Sequence, residues 1–365
     1  MTVCVTGATG FIGGHVARLQ SQKSTVRVTY RDEERLERLS ELDVESVRAD
    51  TMDRSSLRRA FRGCDLVYHT AGFVGSRPPD RVWGINALGP RLAVEAAAAE
   101  DVGRVVITSS VAAIGPAPAG EVGTEDDVYR GGGLTYADAK HEGEAEALAA
   151  GARLGIEVVV VNPSYVFGVP VDPSEPGETS NRIIGNYLRG RLPAVVDGET
   201  NVADVRDVAA GHLMAAERGV PGERYVLGGH DIGWVELVER VAKLSGIQHP
   251  LLVLPRETAR AARMAESLRL PQLIAAEAFE LMAQNWRFSS RKAKRELGYR
   301  TRALNTTLRD TIAWYRELIE EGAFDGSVST LSMAAIGVRV AERVGILGGL
   351  RTAERYLGRR LVGGS

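Results

Sequence analysis

The sequence predicts an α/β protein with a doubly wound parallel sheet and a smaller C-terminal substrate-binding domain. Two observations carry this prediction. Short apolar runs alternate with helical patterns through the first 165 of the 365 residues, and after Pro163 helical runs and short strands mix irregularly. Strands that alternate with helices are typical of a parallel sheet covered on both faces. The predicted strands are Thr2–Thr6, Thr25–Tyr30, Val44–Arg48, Leu66–His69, Arg104–Thr108 and Glu157–Asn162, and the clearest helices are Pro90–Glu100 and Tyr136–Ala150.

A glycine loop, Gly7-Ala8-Thr9-Gly10-Phe11-Ile12-Gly13, follows the first predicted strand and leads into a helical pattern. Its glycines let the backbone turn sharply and approach a pyrophosphate, and the N-terminus of the helix offers free N–H groups to the phosphates. The order of strand, loop and helix therefore predicts a dinucleotide-binding domain of the Rossmann type over residues 1–165. An ordinary strand–helix turn is the alternative interpretation.

The end of the second strand bears on which dinucleotide is bound. Enzymes that use NAD usually place an acidic residue there to bind the ribose 2′-OH, whereas this chain has Tyr30 and Arg31. A guanidinium binds a 2′-phosphate bidentately, which favours NADP, although the next residue, Asp32, leaves NAD open. After the third strand, Asp50 and Thr51 are predicted to contact the adenine, and Asp50 could equally cap the helix that follows.

A tyrosine and a lysine four residues apart, Tyr136 and Lys140, begin a helical pattern after the glycine run 131–133. This spacing places both side chains on one helical face. A phenol has an ordinary pKa of ~10, and a nearby ammonium is expected to lower it toward the working pH. Ser110 follows a buried strand and is predicted to hydrogen-bond a substrate carbonyl, although serines after strands are more often turn formers.

The ordered elements Thr6–Gly13, Ser110, Tyr136 and Lys140 resemble the extended short-chain dehydrogenase/reductases, the NAD-dependent epimerase/dehydratase superfamily, over about residues 1–320. The resemblance implies that Tyr136 is the proton donor, that Lys140 binds ribose and lowers the tyrosine pKa, and that Ser110 orients the carbonyl. Asn86 matches the asparagine that the superfamily places beside its active site. The cofactor contacts that the resemblance and the loop imply are Gly7, Thr9, Gly10, Phe11, Ile12, Gly13, Arg31, Asp50, Thr51, Ala71, Gly72, Tyr136, Lys140, Pro163 and Val166.

Two branches of the superfamily compete. Nucleotide-sugar epimerases and dehydratases usually carry Arg-x-x-Asn-Val-Tyr-Gly-Pro after the sixth strand, whereas this chain reads Asn162-Pro163-Ser164-Tyr165-Val166-Phe167-Gly168. The chain is more similar to dihydroflavonol 4-reductase-like and hopanoid-associated sugar-epimerase-like members. That resemblance extends through the stretches at 182–193, 204–212 and 288–299.

The working hypothesis is therefore an NADPH-dependent oxidoreductase that reduces a ketone or aldehyde of an apolar or aromatic small molecule by a Ser-Tyr-Lys mechanism. The predicted substrate pocket comprises Phe73, Val74, Ser110, Tyr165 and Tyr187, together with Trp83 and Phe167. A nucleotide-sugar epimerase or dehydratase with tightly bound NAD is the first alternative. A non-catalytic NADP-sensing protein is the second, and the Tyr–Lys pair disfavours it.

Composition limits the remaining classes of function. A net charge of −2 gives no reason to expect nucleic acid, and no run reaches the ~18 apolar residues of a membrane span. Cys4 and Cys64 are predicted to be buried thiols of a reducing, cytoplasmic compartment, and the six histidines lack the spacing of metal ligands. The resemblance implies a homodimer formed through the helix that bears Tyr136 and Lys140.

The last residues, 323–365, form a Gly/Arg-rich tail with apolar residues at helical spacing. A solvated or subunit-packing appendage is the simpler interpretation. Peripheral contact with a membrane surface is the alternative.

Overall fold

A seven-stranded parallel sheet forms the centre of the protein in a computed structural model that describes residues 1–174, 176, 180–259, 264 and 276–324. The strands are β1 (Thr2–Thr6), β2 (Thr25–Tyr30), β3 (Glu45–Arg48), β4 (Leu66–His69), β5 (Arg104–Thr108), β6 (Glu157–Pro163), β7 (Tyr165–Phe167), β8 (Ala194–Val196), β9 (Glu199–Asp204), β10 (Arg224–Leu227), β11 (His230–Gly233) and β12 (Leu252–Leu254). The central sheet has the order β10-β6-β5-β4-β1-β2-β3, and two small sheets have the orders β11-β9-β7 and β12-β8. The predicted doubly wound sheet is confirmed.

Helices cover both faces of the central sheet. They are α1 (Phe11–Ser21), α2 (Arg54–Phe61), α3 (Pro79–Trp83), α4 (Gly89–Ala98), α5 (Thr135–Leu154), α6 (Arg182–Leu188), α7 (Val205–Arg218), α8 (Trp234–Ser245), α9 (Ala276–Ala283), α10 (Arg291–Glu296) and α11 (Leu304–Glu320). Successive side chains of a strand point to opposite faces, so Val3 and Val5 pack with α1 and α7, whereas Cys4 packs with α2, α4 and α5. Both cysteines are free and buried, as predicted.

The order of the strands reverses between β1 and β4, because the chain leaves β3 at one edge and returns on the other side of β1. Ligands of open parallel sheets bind at such a switch point, outside the carboxyl ends of the strands. The segments that follow β1 and β4 are in close contact there, and a Cβ on Gly7 would lie 2.7 Å from the Cα of Ala71. The fold therefore places the glycine loop at the expected crevice.

A separate hydrophobic cluster lies among α6, α8 and α11 and includes Phe167, Tyr187, Trp234 and Tyr315. The later chain also returns to the first region, since β10 extends the central sheet and α10 packs on β10. The domain boundary near residue 165 stays a prediction. The predicted tail lies outside the described residues from position 325 onward.

No helix among the described residues is both long enough and apolar enough to cross a bilayer.

Candidate active site

The glycine loop forms a cradle between β1 and α1. Gly7 has φ +69°, which favours glycine, and its carbonyl oxygen accepts from the amide of Gly10 at 2.9 Å. A Cβ on Gly13 would lie 2.3 Å from that same oxygen. Helix α1 begins at Phe11 with Gly10 as its N-cap, and no side chain caps its first turn. The first-turn amides are thus available to an anion, and this cradle fits the pyrophosphate of a dinucleotide.

Two arginines lie in the connection that follows β2, and the second of them contacts the glycine loop. Arg31 is exposed directly after β2, and Arg38, on the short 3₁₀ helix that follows, donates to the carbonyl oxygen of Thr9 at 3.4 Å. The nearby acidic residue Asp32 is exposed and pairs with Arg35 at 3.9 Å. Sequence reasoning named Arg31 and missed Arg38, because only the fold brings the connection after β2 back over the glycine loop.

The predicted capping role of Asp50 is wrong. Asp53 caps α2 instead and accepts from the amide of Ser55 at 2.9 Å, whereas Asp50 accepts from the amide of Met52 at 2.8 Å. The helix begins at Arg54, so only residue 53 has the N-cap position from which a side chain reaches the first-turn amides. Contact of Asp50 and Thr51 with adenine stays a prediction.

Asn86 fixes the segment that follows β4. It lies in a π-helical turn, Gly84–Leu88, where its Oδ1 accepts from the amide of Phe73 at 3.0 Å and its Nδ2 donates to the carbonyl of Phe73 at 2.8 Å. A Cβ on Gly72 would lie 3.2 Å from the Nζ of Lys140 and 3.5 Å from the Oδ1 of Asn86. The structure therefore brings Gly72, Asn86 and Lys140 together.

The side chain of Ser110 lies near that of Tyr136 and interacts with it so as to favour the phenolate. Ser110 caps a short 3₁₀ turn after β5, with its Oγ accepting from the amide of Ala112 at 3.1 Å. Burial raises the pKa of Tyr136 to about 12, and the interaction with Ser110 partly offsets this rise. The expected lowering of the tyrosine pKa by the ammonium of Lys140 is therefore not found in the protein alone, because desolvation of the phenolate dominates and Ser110 is the group that opposes it.

Lys140 is buried on the same face of α5. Its Nζ donates to the carbonyl oxygen of Thr108 at 3.2 Å, which places the ammonium at the carboxyl end of β5. Burial lowers the pKa of Lys140 to about 8, and the carboxylate of Glu144 opposes that shift. The lysine is thus poised to titrate just above neutral pH, a property typical of functional sites.

The predicted pocket residues differ in their exposure and in what they contact. Tyr165 packs edge-on against Trp234 at 4.9 Å and interacts electrostatically with Tyr136, and Phe73 is half-buried with the Arg81 guanidinium 4.5 Å from its ring centre. The side chains of Val74 and Trp83 are 77% and 41% exposed.

Tyr187 and Phe167 belong to the core of the C-terminal region, and their place in a substrate pocket stays a prediction. The hydroxyl of Tyr187 donates to the carbonyl of Ile247 at 3.2 Å. Their aromatic side chains stabilise the packing of α6 and β7 because they are removed from water there.

Sequence reasoning missed the apolar surroundings of Tyr136. Trp286 and Phe288, about 150 residues later in the chain, belong to the cluster against which the half-buried Tyr136 ring packs. No local pattern signals this contact. Pro163 ends β6 beside Leu227, and Val166 is buried in β7 beside β9; their contact with a cofactor stays a prediction. Among the residues that the structure describes, no group of His, Cys, Asp or Glu is arranged to hold a metal ion.

The fold and this site define a nicotinamide-dinucleotide-dependent enzyme of the extended short-chain dehydrogenase/reductase class. The model of the NAD dependent epimerase/dehydratase family matches residues 3–228, and the chain belongs to that family. Its activity is that of an NAD(P)-dependent oxidoreductase.

Similar proteins cover nearly the whole chain. Sterol demethylase protein B of Methylococcus capsulatus is 31% identical over 87% of this chain and 99% of the relative. A Synechocystis protein provisionally named as a dihydroflavonol 4-reductase is 32% identical over 86% of this chain and 94% of the relative. The crystal structure of a nucleoside-diphosphate-sugar epimerase from Pseudomonas aeruginosa superposes with a TM-score of 0.74 at 30% identity, covering 89% of this chain and 99% of that one. The predicted similarity to dihydroflavonol 4-reductase-like proteins is confirmed.

Proposed function

We propose that this protein reduces a ketone or aldehyde of an apolar or aromatic small molecule with NADPH, and oxidises the corresponding alcohol in reverse. The observation that carries the proposal is the placement of Ser110 and Tyr136, whose side chains interact, together with a buried Lys140 at the carboxyl end of β5. This end of the sheet is where a nicotinamide and a substrate would meet.

The reaction divides among the three side chains as follows. The reduced nicotinamide supplies the hydride to the carbonyl carbon. The Tyr136 hydroxyl, which burial keeps protonated, gives its proton to the carbonyl oxygen as negative charge develops there. Ser110 holds that oxygen in place, and the Lys140 ammonium stabilises the phenolate that remains.

The choice of NADP rests on two arginines in the connection that follows β2, of which Arg38 contacts the glycine loop. A 2′-phosphate near Arg31 and Arg38 would gain charge-assisted hydrogen bonds. Asp32, the residue that could serve an unmodified ribose, is instead within ion-pair distance of Arg35. These charges favour NADP over NAD.

The substrate class rests on the residues near Tyr136 and on the relatives. Phe73 and Tyr165 are half-buried and offer aromatic surface, and the Arg-x-x-Asn-Val-Tyr pattern of the sugar-nucleotide branch is absent. Two similar proteins carry names that refer to a sterol and to a dihydroflavonol, both ring compounds. The likeness to the Pseudomonas epimerase supports the second candidate, a sugar-nucleotide epimerase or dehydratase that retains NAD.

The test is NADPH oxidation with a panel of aromatic, polycyclic and small aliphatic ketones and aldehydes. We expect turnover with the aromatic or polycyclic members and its loss in Tyr136→Phe. Tyr315→Phe is the matched control, because it removes a hydroxyl from the core between α6 and α11 and should keep full activity. Turnover by Tyr136→Phe at the wild-type rate would refute the assignment.

Mass spectrometry of the purified protein distinguishes the two candidates. A reductase exchanges its cofactor at each turnover and should release little nucleotide on denaturation. Stoichiometric bound NAD, together with conversion of a UDP-sugar, would favour the epimerase.

We also expect a homodimer, on the family resemblance, and a cytoplasmic location, on the two free buried cysteines. Light scattering of the purified protein tests the dimer, and the mass of a monomer at working concentration would contradict it.

A further inference from the structure

A buried carboxylate lies one helical turn beyond the lysine of the candidate site. Glu144 is 4% exposed on α5, four residues after Lys140. Its Oε1 accepts from the Nη1 of Arg224 on β10 at 2.9 Å, and its Oε2 accepts from the Nδ2 of Asn162 on β6 at 2.8 Å. A carboxylate is retained at such a depth only when it is paired and hydrogen-bonded, and both conditions are met here.

This carboxylate is connected to the main chain of the candidate site. The Nδ2 of Asn162 also donates to the carbonyl oxygen of Ser110 at 3.0 Å. One amide group therefore joins Glu144 to the main chain of Ser110, whose side chain interacts with that of Tyr136. Three elements, α5, β6 and β10, meet behind the site through these few polar contacts.

Two titratable groups near Lys140 are neutral near pH 7, and a third is charged. His69, on β4, is neutral near pH 7 because burial, aided by the charge of Lys140, lowers its pKa to about 3. Tyr136 is also neutral, so Glu144 is the charged group that favours the ammonium. On its other side Glu144 faces Arg224 and a cavity of about 380 Å³ that is also lined by Glu125, His141, Glu223 and Lys292.

We propose that Glu144 is a positioning residue for the reaction centre: its charge holds Lys140 as an ammonium, and its bonds to Arg224 and Asn162 fix the main chain at Ser110. The importance of this for turnover rests on the proposed function. The effect on the charge of Lys140 can be measured in the cofactor-free protein, so the two hypotheses can fail separately.

The decisive experiment uses the small number of lysines in the chain. There are five, Lys23, Lys140, Lys243, Lys292 and Lys294, so NMR of protein labelled with ¹³C at lysine Cε can follow each titration, and Lys140→Met assigns the signal. The wild-type midpoint of Lys140 is expected near pH 8. In Glu144→Gln this midpoint should fall by about one pH unit, because the variant loses a negative charge one helical turn from Lys140 that favours the ammonium.

Glu146→Gln is the matched control. It removes the same charge from the same helix, but Glu146 is half-exposed and pairs with Arg91 at 3.2 Å on the outer surface. The Lys140 midpoint should stay at its wild-type value in this variant. Equal midpoints in wild type, Glu144→Gln and Glu146→Gln would overturn the proposal.

A second variant covers the case in which Glu144→Gln does not fold. Arg224→Gln removes the cation that partly neutralises Glu144, so the Lys140 midpoint should rise above the wild-type value. A midpoint at or below the wild-type value would contradict the proposal. Glu144→Asp keeps the charge and should restore the midpoint.

Turnover supplies the readout for Ser110. In Glu144→Gln, at a pH at least one unit below the Lys140 midpoint of that variant so that the lysine stays charged, kcat should still fall several-fold while the KM for NADPH changes little. An unchanged kcat under these conditions would overturn the role at Ser110. Absence of any carbonyl reduction by the wild type would instead remove the proposed function and leave the lysine titration valid.

Discussion

The ammonium of Lys140 donates to the carbonyl oxygen of Thr108, the last residue of β5, at 3.2 Å. The same threonine is held from the opposite face of the sheet, where its Oγ1 lies 2.8 Å from the Nε2 of His212 on α7. The Nδ1 of His212 lies 2.8 Å from the carbonyl of Val208 and must donate to it, so Nε2 is the acceptor and Thr108 the donor. The end of β5 is therefore fixed from both faces, which gives Lys140 a defined anchor.

His212 and two other buried histidines predict how the free energy of unfolding depends on pH. Burial lowers the pKa of His212 to about 4, of His15 to about 4 and of His69 to about 3, whereas an unfolded histidine titrates near 6.5. The unfolded chain therefore binds more protons in between, and stability is full above pH 6.5 and is lost as pH falls toward 4. At pH 5 each histidine should cost about 2 kcal/mol of unfolding free energy relative to pH 7.5. Urea unfolding at the two pH values measures this loss.

His212→Gln provides the control for that prediction. The variant should be less stable at pH 7.5, because the bond to Thr108 is lost, but its stability should decrease less between pH 7.5 and 5. A decrease as large as that of the wild type would show that His212 does not titrate in this way.

The reduction rate should fall in base. Lys140 loses its proton above about pH 8, and a neutral amine no longer stabilises the phenolate of Tyr136. The kcat for carbonyl reduction is therefore expected to decrease above pH 8. Lys140→Arg should move this decrease to higher pH, since a guanidinium stays charged, even if its absolute rate is lower. A pH profile that stays flat to pH 10 in the wild type would contradict the role of the lysine.

Preference for NADP should depend on Arg31 and Arg38. Replacing either with alanine removes a charge-assisted contact worth about 1.5–3 kcal/mol, so the KM for NADPH should rise about 10- to 100-fold while that for NADH changes little. Arg35→Ala is the control, because Arg35 lies in the same segment but pairs with Asp32. An equal rise for both cofactors would indicate a general loss of binding and no recognition of the 2′-phosphate.

At Gly143, α5 contacts the turn that bears Asn86 so closely that no side chain should be tolerated there. A Cβ on Gly143 would lie 1.9 Å from the main-chain oxygen of Asn86. Gly143→Ala must therefore separate the two elements, with a loss of about 1–3 kcal/mol in stability and a lower kcat. Gly233→Ala is the control, because its nearest atom would be 3.8 Å from the new methyl group. Equal melting temperatures for the two variants would show that α5 and the turn that bears Asn86 can move apart without loss of stability.

Local patterns predicted the strands closely, and the differences are physically instructive. Four of the six predicted strands begin and end as predicted, while β3 begins one residue later and β6 extends to Pro163. Where a short apolar run is bounded by polar residues, the sequence leaves little doubt about where the strand begins and ends. Tyr136, Lys140 and the glycine loop were also recognisable, because their spacing along the chain is itself the signal.

Contacts between distant segments could not be predicted in the same way. Glu144 and Arg224 are 80 residues apart and meet only because β10 joins the sheet beside β6. The core packing of Tyr187 could not be predicted, because an aromatic residue on a short helix has the same local pattern whether it faces a core or a ligand. Asp50 and Asp53 are three residues apart in the sequence, and only the residue at which α2 begins decides which of them is the N-cap.

The loop that precedes Tyr136 is held by a clamp on the first turns of α5, and this clamp gives the last prediction. Asp138 accepts from the amides of Gly132 at 3.0 Å and Gly133 at 2.7 Å, and also from the hydroxyl of Tyr129 at 2.5 Å. Asp138→Ala should remove the carboxylate that these three donors share, lower stability by about 1–3 kcal/mol and loosen the approach to Tyr136. The kcat should fall while the dissociation constant of NADPH, measured by fluorescence titration, stays near the wild-type value. Glu142→Ala, an exposed position one turn further along α5, should change neither quantity, and a matching loss of kcat there would show that the helix responds to any loss of charge.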